Sequence, residues 1–327
     1  MPRTRSEIAS KFRFSHCRIV FFGAPAFGRT VLEALSAAKF KLDGRLRRPS
    51  NSSLPLVIVG VVTQPDRPLG REQKLTPSPV KTFAKKQKIP VFTPANKTEL
   101  LTLNSKLSAL KPDLLILAAY GMIIPPETLA LPAKGALNVH PSLLPKYRGP
   151  SPIQAAILSG ERETGVTIIL MDEEVDHGPI LTQRAVPIAP GETLPTLTGK
   201  LALHGGELLL ETIPDYLSGK ITPQPQDPAQ ATFTKLLKKE DGEVNWGKTN
   251  PEIERMIRAL NPWPGVWTTV GEMADQLNQE LRNPKHGKLK LKLLTADQED
   301  GALFLETVQV EGRNPISFSE FASGYLA

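Results

Sequence analysis

Residues 17–35 read CRIVFFGAPAFGRTVLEAL. The run from Cys17 to Phe22 is short, apolar and rich in strand formers, and it stops at Gly23. The apolar spacing then changes to Phe27, Val31, Leu32 and Leu35, which is one face of a helix. A buried strand handing directly to a helix opens an α/β unit. The pattern repeats downstream. Residues 56–62 (LVIVGVV) predict a strand, Val80, Phe83 and Ala84 a helix, and residues 90–92 a short strand. Leu100, Leu103 and Leu107 predict another helix, and residues 114–119 (LLILAA) another strand. Continuous rather than alternating apolar strands are covered on both faces, so the arrangement predicts a parallel sheet. Residues 137–140 and 166–171 are expected to extend it. Residues 193–218 predict a helix with Thr193 as N-cap and a weak point at Gly205-Gly206. The turn after Phe22 is not a dinucleotide fingerprint, because Pro25 stands two positions after Gly23.

The tail has another pattern. Residues 221–230 carry Pro223, Pro225 and Pro228 without apolar periodicity, as a linker does. Asn250-Pro251 starts a helix with Ile253, Met256, Ile257 and Leu260 as its stripe, and Asn261-Pro262 ends it. Strands are expected at 266–270, 289–294 and 303–310. Lys288, Lys290 and Lys292 alternate with Leu289, Leu291 and Leu293 in a half-buried pattern that suits a small β-barrel. The expected division is a basic, disordered extension at 1–16, an α/β domain at 17–221, a linker at 222–240 and a β-barrel domain at 241–327. A polar, basic stretch at 42–54 is read as a loop insertion.

The 327 residues are 40% hydrophobic and 22% charged, as expected of a globular protein with room for two domains. No apolar run reaches the roughly 18–20 residues of a membrane span. The lone Cys17 excludes an internal disulfide and a cysteine-rich zinc site, and suits a reducing compartment. A cytoplasmic monomer is expected. Arg3, Arg5, Lys11 and Arg13 against Glu7 also leave an organellar targeting segment open. Residues 1–221 carry 28 Lys/Arg and 18 Asp/Glu, while residues 222–327 carry 12 and 15. The positive first part suits either a polyanionic partner or simple solubility.

Chemistry concentrates at Asn138-Val139-His140 and at Asp176-His177-Gly178-Pro179. Two apart on a strand, Asn138 and His140 point to one face. An amide donor and an imidazole can hold the oxyanion of an acyl transfer, and a nearby carboxylate can orient the imidazole and relay a proton. Taken alone, His140 reads more readily as a buried structural histidine, and Asn138 with the polar loop that follows makes the two readings equal; His177 and His204 are read as structural. Ser142, Leu143, Leu144 and Pro145 could wall a flat heterocycle with backbone groups at its edges, or form a hydrophobic turn. The stretch from Thr63 to Lys74, TQPDRPLGREQK, projects from a strand's carboxyl end, where α/β sheets meet ligands. Its basic residues suit phosphate contact or a solvated loop.

These segments resemble the methionyl-tRNA formyltransferases. FFGAPAFG, VVTQPDRPLGREQK, PSPVK, AAYGMIIP, LNVHPSLLPKYRGPSPIQAAILSGERETGVTIILM, VDHGPIL and RALNPWPG occur in that family's order, from about Cys17 to the C-terminus. The resemblance implies a Rossmann-like formyltransferase domain followed by a C-terminal barrel of OB-like type. It implies formyl transfer from 10-formyltetrahydrofolate to the amine of methionyl initiator tRNA, as part of translation initiation, without a metal. It implies Asn138, His140 and Asp176 as catalytic, Ser142, Leu143, Leu144 and Pro145 as folate-binding, and Arg67, Arg71 and Lys74 as tRNA-binding. Amino-sugar nucleotide formyltransferases and 10-formyltetrahydrofolate hydrolases share much of the pattern and are the alternatives. The chain departs from the family at Ala24, Ala26 and Glu72-Gln73.

Overall fold

The computed structural model describes residues 16–40, 55–70 and 72–327. The extension before His16, the whole 42–54 insertion and Arg71 lie outside the described residues. In chain order the first elements are β1 (Cys17–Gly23), α1 (Ala26–Phe40), β2 (Leu56–Val62), β3 (Arg67–Leu69), β4 (Lys74–Thr76), α2 (Pro79–Lys86) and β5 (Val91–Phe92). There follow α3 (Lys97–Ala109), β6 (Leu114–Ala118), α4 (Pro126–Leu129), β7 (Ala136–His140), α5 (Pro152–Leu158), β8 (Glu163–Leu170), β9 (Ile180–Pro187) and α6 (Leu194–Leu217).

Seven strands form one sheet in the order β5-β2-β1-β6-β7-β8-β9. Those from β5 to β7 run parallel. β7 and β8 pair antiparallel, so the sheet is mixed rather than wholly parallel. The strand β9 has no counterpart in the sequence reading. Its burial alternates, and its exposed positions dilute the apolar signal. Ile19, Val20, Phe21 and Phe22 of β1 are fully buried, each contributing about 1.5–3 kcal/mol of transfer free energy. On one face Val20, Phe22, Val62, Leu100, Leu107 and Leu115 form a core cluster that includes Tyr120. Phe22 and Tyr120 meet edge to face at 5.4 Å.

Gly205 and Gly206 do not interrupt α6. A Cβ on Gly205 would stand 2.7 Å from Val139 Cγ1, and one on Gly206 2.7 Å from Ala34 Cβ. The glycines let the helix approach β7 and α1, and that contact outweighs their low helix propensity of about 1 kcal/mol each.

The chain divides into two compact units. One comprises Met1–Arg148, Gly165–Ala185 and Gly199–Ala231; the other comprises Gly149–Thr164, Val186–Thr198 and Thr232–Ala327. The second holds α7 (Asn250–Leu260), β10 (Val266–Thr269), α8 (Val270–Gln276), β11 (Lys290–Glu299), β12 (Ala302–Val310), β13 (Ile316–Ser317) and α9 (Phe318–Tyr325). β10 to β13 form an antiparallel sheet in sequence order. α7 starts at Thr249, whose capping box with Glu252 satisfies the first amides. Its stripe of Ile253, Met256, Ile257 and Leu260 is buried, as are Leu291, Leu293, Val308 and Val310 of the sheet. Lys290 stacks its ammonium 3.8 Å from the Trp267 ring centroid. The fold is thus a Rossmann-like α/β domain followed by a small C-terminal β domain. No described helix is long and apolar enough to cross a membrane.

Candidate active site

All five residues of β7 are buried, because the strand lies inside the sheet between β6 and β8. Alternation sends Val139 toward Gly205 of α6, leaving Asn138 and His140 on the other face. Both are nearly enclosed, at 6% and 4% exposure. Asp176 comes from the loop between β8 and β9, and its backbone sits in the left-handed region with φ 51°. There its Oδ1 accepts from Asn138 Nδ2 at 3.0 Å and stands 3.4 Å from His140 Nδ1. One carboxylate oxygen therefore meets both strand residues.

The other ring nitrogen of His140, Nε2, lies 3.0 Å from the Tyr147 carbonyl oxygen. A carbonyl only accepts, so Nε2 carries the hydrogen and Nδ1 is the nitrogen facing Asp176. This partner was not visible in the sequence, where Tyr147 is one polar loop residue among several. His177 pairs instead with Asp172, 2.7 Å from Nδ1 to Oδ2.

The Ser142–Pro145 segment is pinned from inside. Thr167 Oγ1 on β8 donates to the Ser142 carbonyl at 2.6 Å and accepts from Leu144 N at 3.1 Å and from Gln183 Nε2 at 3.0 Å. Gln183 also donates to the Leu144 carbonyl at 2.7 Å, and Ser142 Oγ donates to the Lys146 carbonyl at 2.7 Å. The Ser142 hydroxyl is fully buried and builds the loop rather than facing outward. Leu144 is likewise buried, whereas Leu143 and Pro145 keep partial exposure.

Arg67 and Lys74 lie on a two-stranded hairpin, β3 with β4, at the carboxyl end of β2. That is the same edge of the parallel strands at which Asn138 and His140 sit. Apart from half-buried Thr76, the strand residues of the hairpin are exposed, with Leu69 and Leu75 at 67% each. Its base is fixed by Lys81 Nζ to Asp66 at 2.7 Å and by the Thr63 and Ser78 hydroxyls at 2.7 Å. Arg71 lies outside the described residues. The exposed leucines went unnoticed in a loop read for its charge.

Among the described residues, no group of three or more His, Cys, Asp or Glu side chains is placed to hold a metal. A cavity of about 650 Å³ in the second unit, walled by Glu254, Arg258, Asn261 and Lys292 among others, shares no residue with the Asn138 set.

The Formyl transferase family matches residues 18–213, and the family Formyl transferase, C-terminal domain, matches residues 236–326. A methionyl-tRNA formyltransferase of Roseiflexus castenholzii is 43% identical over 315 residues, 94% of this chain and 96% of the relative. That of Roseiflexus sp. is 48% identical over 319 residues, 94% of this chain and 92% of the relative. The chain belongs to the methionyl-tRNA formyltransferase family. It is by that membership an enzyme, a one-carbon formyl transferase acting in translation. A solved methionyl-tRNA formyltransferase from Clostridium thermocellum shares the fold, with a TM-score of 0.56 and 18% identity over 90% of this chain and 98% of that one. Family membership accounts for both the α/β domain and the C-terminal β domain, as the sequence motifs led one to expect.

Proposed function

We propose that the chain transfers the formyl group of 10-formyltetrahydrofolate to the free amine of methionyl initiator tRNA, with Asn138, His140 and Asp176 as the reacting set. The observation that carries this reading is the shared Asp176 oxygen, which accepts from Asn138 at 3.0 Å and faces His140 Nδ1 at 3.4 Å at the end of a buried strand.

The lone pair of the amine attacks the formyl carbon. The carbonyl electrons move to oxygen, where the second N–H of Asn138 and a proton on His140 Nδ1 receive the charge. Asp176 takes the proton that the attacking nitrogen releases once it is bonded to carbon, and passes it on. Collapse restores the carbonyl and breaks the bond to folate N10, which takes the proton. Leu143 and Pro145 bound the folate ring, with Ser142 and Leu144 holding their loop. Arg67, Arg71 and Lys74 approach the acceptor end of the tRNA as cations, and the exposed Leu69 and Leu75 offer it apolar surface. The hairpin and the positive balance of residues 1–221 favour a tRNA over a sugar nucleotide as acceptor. The lone buried thiol supports a reducing, cytoplasmic setting, and the reading includes a monomer, which sedimentation tests.

The test incubates the protein with charged initiator tRNA and 10-formyltetrahydrofolate, alongside an amino-sugar nucleotide and water as competing acceptors. Formyl-methionine is expected only with the tRNA. Its absence, or formate release without an amine, overturns the reading. Asn138→Ala is expected to lower kcat on the order of 10²–10³-fold, and His140→Ala and Asp176→Ala on the order of 10²–10⁴-fold.

A further inference from the structure

Gln226 belongs to the proline-bearing stretch after α6, yet it is only 8% exposed. A buried amide must satisfy its donors and acceptor within the protein, and this one does. Nε2 donates to the Asp176 carbonyl and to the Gly178 carbonyl, both at 2.8 Å. Oε1 accepts from Arg148 Nε at 3.0 Å and from Arg148 Nη2 at 2.8 Å. A guanidinium only donates, so the amide oxygen must face Arg148 and both hydrogens must face the Asp176 loop.

That loop is constrained on both sides of His177. Asp176 adopts φ 51°, which residues other than glycine seldom do. Gly178 has no room for a side chain, since a Cβ there would stand 1.9 Å from the Leu170 carbonyl oxygen. The two carbonyls taken by Gln226 are those of the strained residue and of this close-packed glycine. We propose that Gln226 is a positioning residue for formyl transfer: it holds the turn at Asp176 so that the carboxylate meets Asn138 and His140. It touches no reacting atom and acts through Asp176. The inference rests on the reading of Asp176 as a member of the reacting set.

Gln226→Glu keeps the size and the acceptor for Arg148, but turns an acceptor toward the two carbonyls. It is expected to lower kcat for methionyl-tRNA formylation on the order of 100-fold, as a small misplacement of a reacting group does. KM for both substrates should stay within about threefold, because uniform binding is untouched. Gln226→Leu should do the same if it folds. NMR of the His140 ring should show the Nδ1 resonance displaced in Gln226→Glu as it is in Asp176→Ala. The Gln226→Glu/Asp176→Ala double variant should be no slower than Asp176→Ala alone, since both changes act on one group. Wild-type kcat in Gln226→Glu, a loss confined to KM, an unmoved His140 resonance or an additive double variant overturns the proposal. Wild-type turnover by Asp176→Ala alone overturns the reading of the site and this inference with it. Slow Asp176→Ala beside a fast Gln226→Glu overturns the positioning role only.

Discussion

Asp176 illustrates how far residue-level reading reaches. An Asn and a His two apart on a buried strand were expected on one face, and their carboxylate partner lies 36 residues beyond His140 in a loop marked by Gly178-Pro179. Alternation along a strand makes such a pair legible. The groups that hold the pair in place were not legible. Tyr147 acts through its carbonyl, which no residue identity encodes. Gln226 sits among prolines in a stretch that reads as a spacer, and Thr167 and Gln183 are single polar residues on strands. Cys17 makes the opposite case, a reactive residue type made inert by its place. Burial, with the charge of Asp113 adding to it, pushes its thiol up to about 12. A thiol whose folded value is raised stays protonated, and so unreactive, until the pH approaches that value. Iodoacetamide at pH 8 is expected to leave the native protein unmodified and to alkylate Cys17 at an ordinary rate in urea, as mass spectrometry would show. Rapid labelling of the folded chain would contradict this.

At the scale of elements, α6 carries its own control. Gly199 and Gly205 lie on the same helix, but a Cβ at Gly199 meets nothing within 4 Å, whereas one at Gly205 meets Val139 at 2.7 Å. Gly199→Ala is therefore expected to raise stability by up to about 1 kcal/mol through helix propensity. Gly205→Ala is expected to lower Tm despite the same gain, since overpacking costs about 1–3 kcal/mol. It should also slow turnover, because Val139 stands between Asn138 and His140. Thermal unfolding and a steady-state assay of the two variants check both points, and equal Tm shifts would refute the packing argument. Here also lies the limit of pattern reading. The apolar runs of β1, β2 and β6 and the periodicity of α1, α3 and α7 were legible because burial on one side or both imposes a period. The antiparallel turn of β8 against β7, the edge strand β9 and the short α8 and α9 were not. Strand direction comes from pairing, and α8 follows β10 without a break, so that Val270 reads as the end of the strand.

For the whole molecule the governing quantity is how charge is distributed. Residues 1–221 hold an excess of basic residues, and residues 222–327 a slight acidic excess. If phosphate contacts come mainly from the first part, tRNA affinity should fall linearly with salt on logarithmic axes. Arg67→Ala and Lys74→Ala should each reduce that slope by roughly 1 while leaving folate binding unchanged. Fluorescence titration of tRNA between low and physiological salt measures the slope. An unaltered slope in both variants would remove these residues from the tRNA contact.

The hydroxyl of Thr167 gives its hydrogen to the Ser142 carbonyl and receives hydrogens from Leu144 N and Gln183, which uses all the capacity a hydroxyl has. The Ser142–Pro145 wall consequently owes its shape to the protein's own bonds. On the proposed reading, a flat ring docking there has no loop to order, so little conformational entropy is lost on binding. The heat-capacity change of that docking should report the buried apolar surface alone, without the larger negative contribution that a folding segment adds.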